Sequence, residues 1–130
     1  MSDVLRFVAG SVRTIVVIRE KIGKDEIDEA ARLGMRVELV PMSGIFSPSF
    51  NKVDRALKIL SDPLQQPVLV HCPYGKDRTG VTVASYRTAI ESWAVGKAAV
   101  EAESYGCCVQ LFHPLRPYLA LYLQHRRLDR

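Results

Sequence analysis

The stretch 67-PVLVHCPYGKDRTG-80 decides how the chain is read. Its apolar run 68-VLVH-71 has the length and composition of a buried parallel strand, and Cys72 stands at the strand's carboxyl end. A polar, glycine-containing turn follows and leads into sequence of helical character. A strand that turns in this way into a helix N-terminus points successive backbone N–H groups inward. Those donors, with the positive helix end, form an anion site. Gly75 and Gly80 suit close backbone approach or positive φ. Arg78, six residues after Cys72, offers a planar fork to two oxygens of a bound oxyanion. The same field favours thiolate over thiol at Cys72. A thiolate beneath a phosphate cradle is a nucleophile aimed at phosphorus, through a cysteinyl-phosphate that water then hydrolyses. Thr79 can donate its hydroxyl to the sulfur, and His71 is expected to hold the loop by hydrogen bonds rather than act as a base.

Working outward, strands and helices alternate. Residues 12-VRTIVVIR-19 are rich in β-branched side chains and read as a buried strand; 35-MRVELV-40 reads as a second, ended by Pro41. Between them 24-KDEIDEAARLG-34 reads as a helix with Ile27, Ala30, Ala31 and Leu33 inward and Gly34 as its stop. Helix 50–60 carries Val53, Ala56, Leu57 and Leu60 at i, i+3, i+4 and i+7. Further helices are expected over 2–9, 78–93, 97–106 and from Pro114 to the end. The pattern predicts an α/β fold: a central, mostly parallel sheet of about four strands with helices on both faces. In such folds ligands bind beyond the carboxyl ends of the strands, and 68–71 is read as the central one.

At 130 residues the chain is expected to form one domain, residues 1–130. Hydrophobic residues at 48% and charged residues at 25% are ordinary for a globular protein. No apolar run approaches the roughly 20 residues that span a bilayer, and the N-terminus lacks the apolar core of a secretory signal. A cytoplasmic setting is expected. Much of the basic excess behind the net charge of +4 lies in the C-terminal HRRLDR, which suits a helix end. Without aromatic residues among those cations, no nucleic acid partner is expected. The cysteines Cys72, Cys107 and Cys108 have no zinc spacing, so neither metal nor cofactor is called for.

His71, Cys72, Gly75, Arg78, Thr79 and Gly80 together resemble the signature of the cysteine-dependent protein tyrosine phosphatase superfamily. Beyond the signature, TIVVIRE, VELVPM and the SYR that follows the signature are similar to its small, atypical dual-specificity branch. The resemblance implies a phosphomonoester hydrolase with Cys72 as nucleophile. Pro73, Tyr74, Gly75, Lys76, Asp77 and Arg78 would bind the phosphate, with His71 and Gly80 supporting them. Members of that branch often carry a further N-terminal strand, so the sheet here is expected to be minimal. A chain this short has no room for the insertions that build a deep phosphotyrosine cleft, so a shallow site is implied. The Lys76-Asp77 pair resembles phosphatases that accept inositol phosphates or phosphoinositides, and a phosphorylated protein or an inositol phosphate is the expected substrate. Oligomeric state is left open.

The family's general acid is usually an Asp on a loop before the signature. The equivalent loop, 41-PMSGIFSPS-49, holds no Asp, Glu or His. Two carboxylates can stand in: Asp54, on the following helix, and Asp77, beside Arg78. Asp77 is preferred, because some phosphoinositide phosphatases of the superfamily have an Asp there and use it as the donor. A loop without an acid also suits an adaptor that binds phosphate without turnover. Cys107 and Cys108 are expected to pack, or to supply a disulfide partner for oxidised Cys72. Bonding to each other is disfavoured for neighbours. Arg19, at a strand end, either approaches the site or forms an ion pair, and His125 is read as a surface residue.

Overall fold

The computed structural model describes residues 10–42, 47–72, 77–108 and 114–128. The most β-branched run in the chain becomes its most buried strand. In β1 (Thr14–Val17) no residue is more than 1% exposed. β2 (Arg36–Leu39) and β3 (Val68–His71) flank it, both parallel to it, in the order β2–β1–β3. Thr14 pairs with Arg36 on one side and Val68 on the other, and Val17 with Leu39 and His71.

Two expectations change. The described residues hold three strands, not about four, matching the three β-branched or apolar runs in the sequence. The central place also belongs to β1, while β3, half-buried along its length, is an edge strand of the described sheet. Its apolar composition reflects helices packed on its faces rather than a strand on each side.

The period of two along β1 sorts its side chains between two cores. Val16, with Ile18 beyond the strand, joins Val40, Val53, Leu57 and Tyr122 in the larger one. Ile15 and Val17 meet Ala30 and Met35 on the opposite face. The smaller core is closed by α1 (Lys24–Arg32), which ends where Gly34 takes φ +81°. Of the inward residues expected there, only Ala30 is fully buried; Ile27 is 42% exposed and Ala31 is also exposed, since one short helix covers that face.

The larger core is covered by α2 (Phe50–Leu60), α3 (Asp77–Ala89), α4 (Val95–Ser104) and α5 (Leu115–Leu128). In α2, Ser49 Oγ accepts from the Lys52 N–H at 3.4 Å as N-cap, and Val53, Ala56 and Leu57 face inward as expected. α3 packs against α2, α4 and α5, so the helix that follows the signature is held on three sides. It starts at Asp77, one residue earlier than expected, so its first turn is itself part of the signature. The helix expected at 2–9 lies outside the described residues. No described helix is long and apolar enough to cross a membrane.

Candidate active site

β3 delivers Cys72 to the carboxyl edge of the sheet. His71 is held by its register with Val17 and by the Ile18 N–H, which donates to the His71 carbonyl at 2.8 Å. Cys72 follows at 3% exposure. Seven residues later the chain returns: the Thr79 hydroxyl donates to Cys72 Sγ at 2.9 Å. The sulfur therefore lies against the first turn of α3, at the positive end of that helix. Arg78 donates from Nη1 to the Met42 carbonyl at 3.2 Å, tying α3 to the segment that leaves β2. A guanidinium carries five N–H donors in one plane, so this anchor leaves others for an anion.

The signature's remaining residues divide. Pro73, Tyr74, Gly75 and Lys76 lie outside the described residues. Gly80 has no positive φ among the glycines that do, so close approach is its reason. A Cβ there would sit 2.6 Å from Cys107 Cβ and also meet the Cys107 sulfur. Asp77 turns the same way: its Oδ1 accepts the Cys108 N–H at 2.7 Å, and its carbonyl lies 3.8 Å from Cys107 Sγ. The other carboxylate oxygen has no partner among the described residues. Burial, followed by positive charge nearby that includes Arg19, lowers the pKa of His71 below its ordinary value, so the ring is neutral at pH 7. Arg19 itself pairs with Glu26 at 3.7 Å.

Asp54 is engaged elsewhere. Its carboxylate accepts from the Tyr122 hydroxyl at 2.5 Å and from Arg126 at 3.3 Å, and meets His125 Nε2 at 2.8 Å. Burial alone would raise its pKa, but Tyr122, His125 and Arg126 together reverse this and hold it low. A carboxylate so paired keeps no proton to give. His125 is correspondingly half-buried in an α2–α5 clamp rather than a surface residue, because Asp54 draws it in.

Two contributions were not anticipated. One is the Met42 carbonyl, a backbone group that no side-chain motif announces. The other is the Gly106–Cys108 turn behind α3. Its sequence signal was faint: a glycine kept within the first turn of a helix. Cys107 and Cys108 close their sulfurs on each other, against the expectation for neighbours, and Cys72 stands free. Asp77, Cys107 and Cys108 also bring three potential metal-ligating atoms within 4.8 Å of one another, the one such group among the described residues.

Residues 5–111 match the family described as "DSP-PTPase phosphatase fused to NAD+ Kinase". The chain belongs to this family. It is thereby a member of the cysteine-dependent protein tyrosine phosphatase superfamily, in its small dual-specificity-like branch. The inositol diphosphatase SIW14 of Saccharomyces cerevisiae is 31% identical over 85 residues, covering 62% of this chain. The inositol diphosphatase DSP2 of Oryza sativa subsp. japonica is 43% identical over 44 residues, covering 34%. The chain spans only 30% and 21% of the lengths of these two relatives. The solved core catalytic domain of SIW14 from S. cerevisiae, a PP-IP phosphatase in complex with citrate, superposes with a TM-score of 0.80. That match is 22% identical and covers 96% of this chain and 78% of that one. The likeness shows a shared fold.

Proposed function

We propose that this chain is a phosphomonoester hydrolase of the tyrosine and dual-specificity phosphatase type, acting through a cysteinyl-phosphate. The observation that carries the reading is the 2.9 Å bond from the Thr79 hydroxyl to Cys72 Sγ at the N-terminus of α3. A donor and a helix end at one sulfur suit a thiolate that first attacks and later departs. In the first step Cys72 Sγ bonds to phosphorus while the ester P–O bond breaks and its electron pair stays on the leaving oxygen. In the second, water attacks phosphorus, inorganic phosphate forms and the thiolate leaves towards Thr79. Arg78 and the loop 73–76 would grip the equatorial oxygens. Neutral His71 would support that loop through hydrogen bonds. A cytoplasmic setting suits this chemistry, because the nucleophile must stay reduced.

The leaving oxygen needs a proton when it departs as an alkoxide, and Asp77 is the carboxylate beside Arg78 that can supply it. A phosphate group titrates near pH 6 and leaves without help. That difference favours a second reading of the substrate. The acid-free loop 41–49 is least costly when the bond cleaved joins two phosphates, and two relatives are inositol diphosphatases. Phosphorylated inositol rings, diphosphates among them, are then the preferred substrates, with Lys76 adding charge at the mouth.

The test is phosphate release from p-nitrophenyl phosphate, a phosphotyrosine peptide, an inositol monophosphate and a diphosphorylated inositol. Turnover by wild type and none by Cys72→Ser is expected. Equal rates for the two proteins would remove Cys72 as nucleophile, and tight phosphate binding without turnover would make the chain an adaptor. Asp77→Asn should slow alkyl esters far more than the diphosphate; an equal effect on both would exclude Asp77 as donor.

A further inference from the structure

Behind the phosphate site, on the far side of the first turn of α3, lies a second reactive group that the proposed hydrolysis does not use. Cys107 and Cys108 follow Gly106, which ends α4 at φ +86°. Cys107 is 2% exposed and pressed on Gly80, while Cys108 is half-exposed. The pair opens on a cleft of about 380 Å³, lined also by Glu103, Leu115 and Arg116, so small reagents reach the sulfurs from solvent. Cys108 holds φ +77°, a left-handed conformation that costs a residue with a side chain of the order of 1 kcal/mol. There its N–H reaches Asp77, and its sulfur meets that of Cys107.

We propose that Cys107 and Cys108 are a reversible thiol–disulfide site that governs Asp77. With hydrogen peroxide the balance is two thiols and one peroxide giving one disulfide and two waters. The sulfurs are oxidised, the O–O bond breaks, and the thiol protons leave in water. A dithiol reductant reverses the change and becomes a cyclic disulfide itself. Two contacts carry the state to the catalytic side. When the pair is closed, the Cys108 N–H is held on Asp77 Oδ1 at 2.7 Å, turning that oxygen towards the 107–108 turn. When it is open, Cys108 can leave its left-handed conformation and release the carboxylate. Cys107 also regains a thiol proton facing the Asp77 carbonyl at 3.8 Å. Asp77 immediately precedes Arg78 and lies two residues before Thr79, so the switch acts at the shared turn. Cys72 takes no part, unlike in the disulfide to Cys72 that the sequence left open.

The site itself requires no phosphatase activity; only its effect on turnover rests on the proposed function. The experiment equilibrates Cys72→Ser protein in glutathione buffers of graded potential and reads intact mass. Loss of two hydrogens through one transition, absent in Cys107→Ala and in Cys108→Ala, is expected. Two freely alkylated cysteines throughout, or a glutathione adduct in place of the loss, overturns the site. Should either variant misfold, peptide mapping of the oxidised Cys72→Ser protein locates the bond instead. Coupling is read by hydrogen exchange over 77–82, expected to be several-fold faster after reduction; identical exchange overturns it. In wild type, oxidation should lower turnover of alkyl phosphates about tenfold and spare aryl phosphates with good leaving groups. Equal loss of both substrates would place the oxidation on Cys72 and overturn the link to Asp77. Failure of every substrate with the mass transition intact would count against the phosphatase reading alone.

Discussion

Gly80→Ala sets two effects of opposite sign against each other. In an exposed helix the change would stabilise by up to about 1 kcal/mol, because alanine loses less backbone entropy. Here the new Cβ lies 2.6 Å from Cys107 Cβ, against an ordinary carbon–carbon contact of roughly 3.5–4 Å. Relief needs about 1 Å of movement between α3 and the 106–108 turn, in a core that tolerates little displacement. Overpacking of this kind costs about 1–3 kcal/mol. The same movement pulls the Cys108 N–H from Asp77, and a hydrogen bond to a charged group is worth about 1.5–3 kcal/mol. The clash wins. Gly80→Ala should destabilise by about 2 kcal/mol, seen as a lower urea midpoint at unchanged slope and a fall in Tm of the order of 5–10 °C. The new Cβ meets both the Cys107 sulfur and its Cβ, so Cys107→Ala should recover only part of the loss, whereas Cys107→Gly should recover most of it. A Gly80→Ala protein as stable as wild type, or one that Cys107→Gly leaves as unstable, would refute the packing argument.

Other expectations follow from the same geometry. Thr79→Ala removes the donor at 2.9 Å from Cys72 Sγ and should slow breakdown of the phospho-enzyme about fivefold, since one hydrogen bond is worth about 1 kcal/mol. Rapid-quench kinetics should show a burst that Thr79→Ser lacks. Arg78→Lys keeps the charge but loses both the fork and the Met42 anchor. It should lower kcat/KM by roughly two to four orders of magnitude, measured with an aryl phosphate, if two charge-assisted bonds are lost. His71 and Asp54 both have pKa values below their ordinary ones in the folded chain, so the folded state binds fewer protons than the unfolded. The His71 contribution is present above its ordinary value of 6.5 and is lost as pH falls below it towards the folded value. The Asp54 contribution is lost only below its ordinary 3.8. Denaturation curves from pH 8 to 5 should therefore show stability declining in wild type and a flatter profile in His71→Asn.

Much of the site was legible because its logic is local. A strand, a cysteine, glycines, an arginine and a threonine lie within one stretch, and the first turn of α3 brings Thr79 back to Cys72. The α/β alternation was legible for the same reason: β-branched runs and the 3.6-residue period of helix 50–60 are properties of short segments. The order of the strands was not. Both 14–17 and 68–71 are apolar enough for a central place, and packing rather than composition set β1 between the others.

Between the two carboxylates, the sequence preferred Asp77 on resemblance alone. What the sequence could not show is what holds Asp54. Tyr122, His125 and Arg126, some seventy residues from Asp54, make it a structural anion, and this depends on α5 crossing α2. The 67–80 stretch by itself put forward Cys72 as nucleophile and the turn after it as an anion site, because the groups that would build a phosphate cradle are consecutive backbone amides and near neighbours. Only the tertiary structure decided what stands behind that cradle. Asp77 and Gly80 meet Cys107 and Cys108 across about thirty residues because α3 and α4 pack together, and nothing in the spacing of those residues encodes that contact.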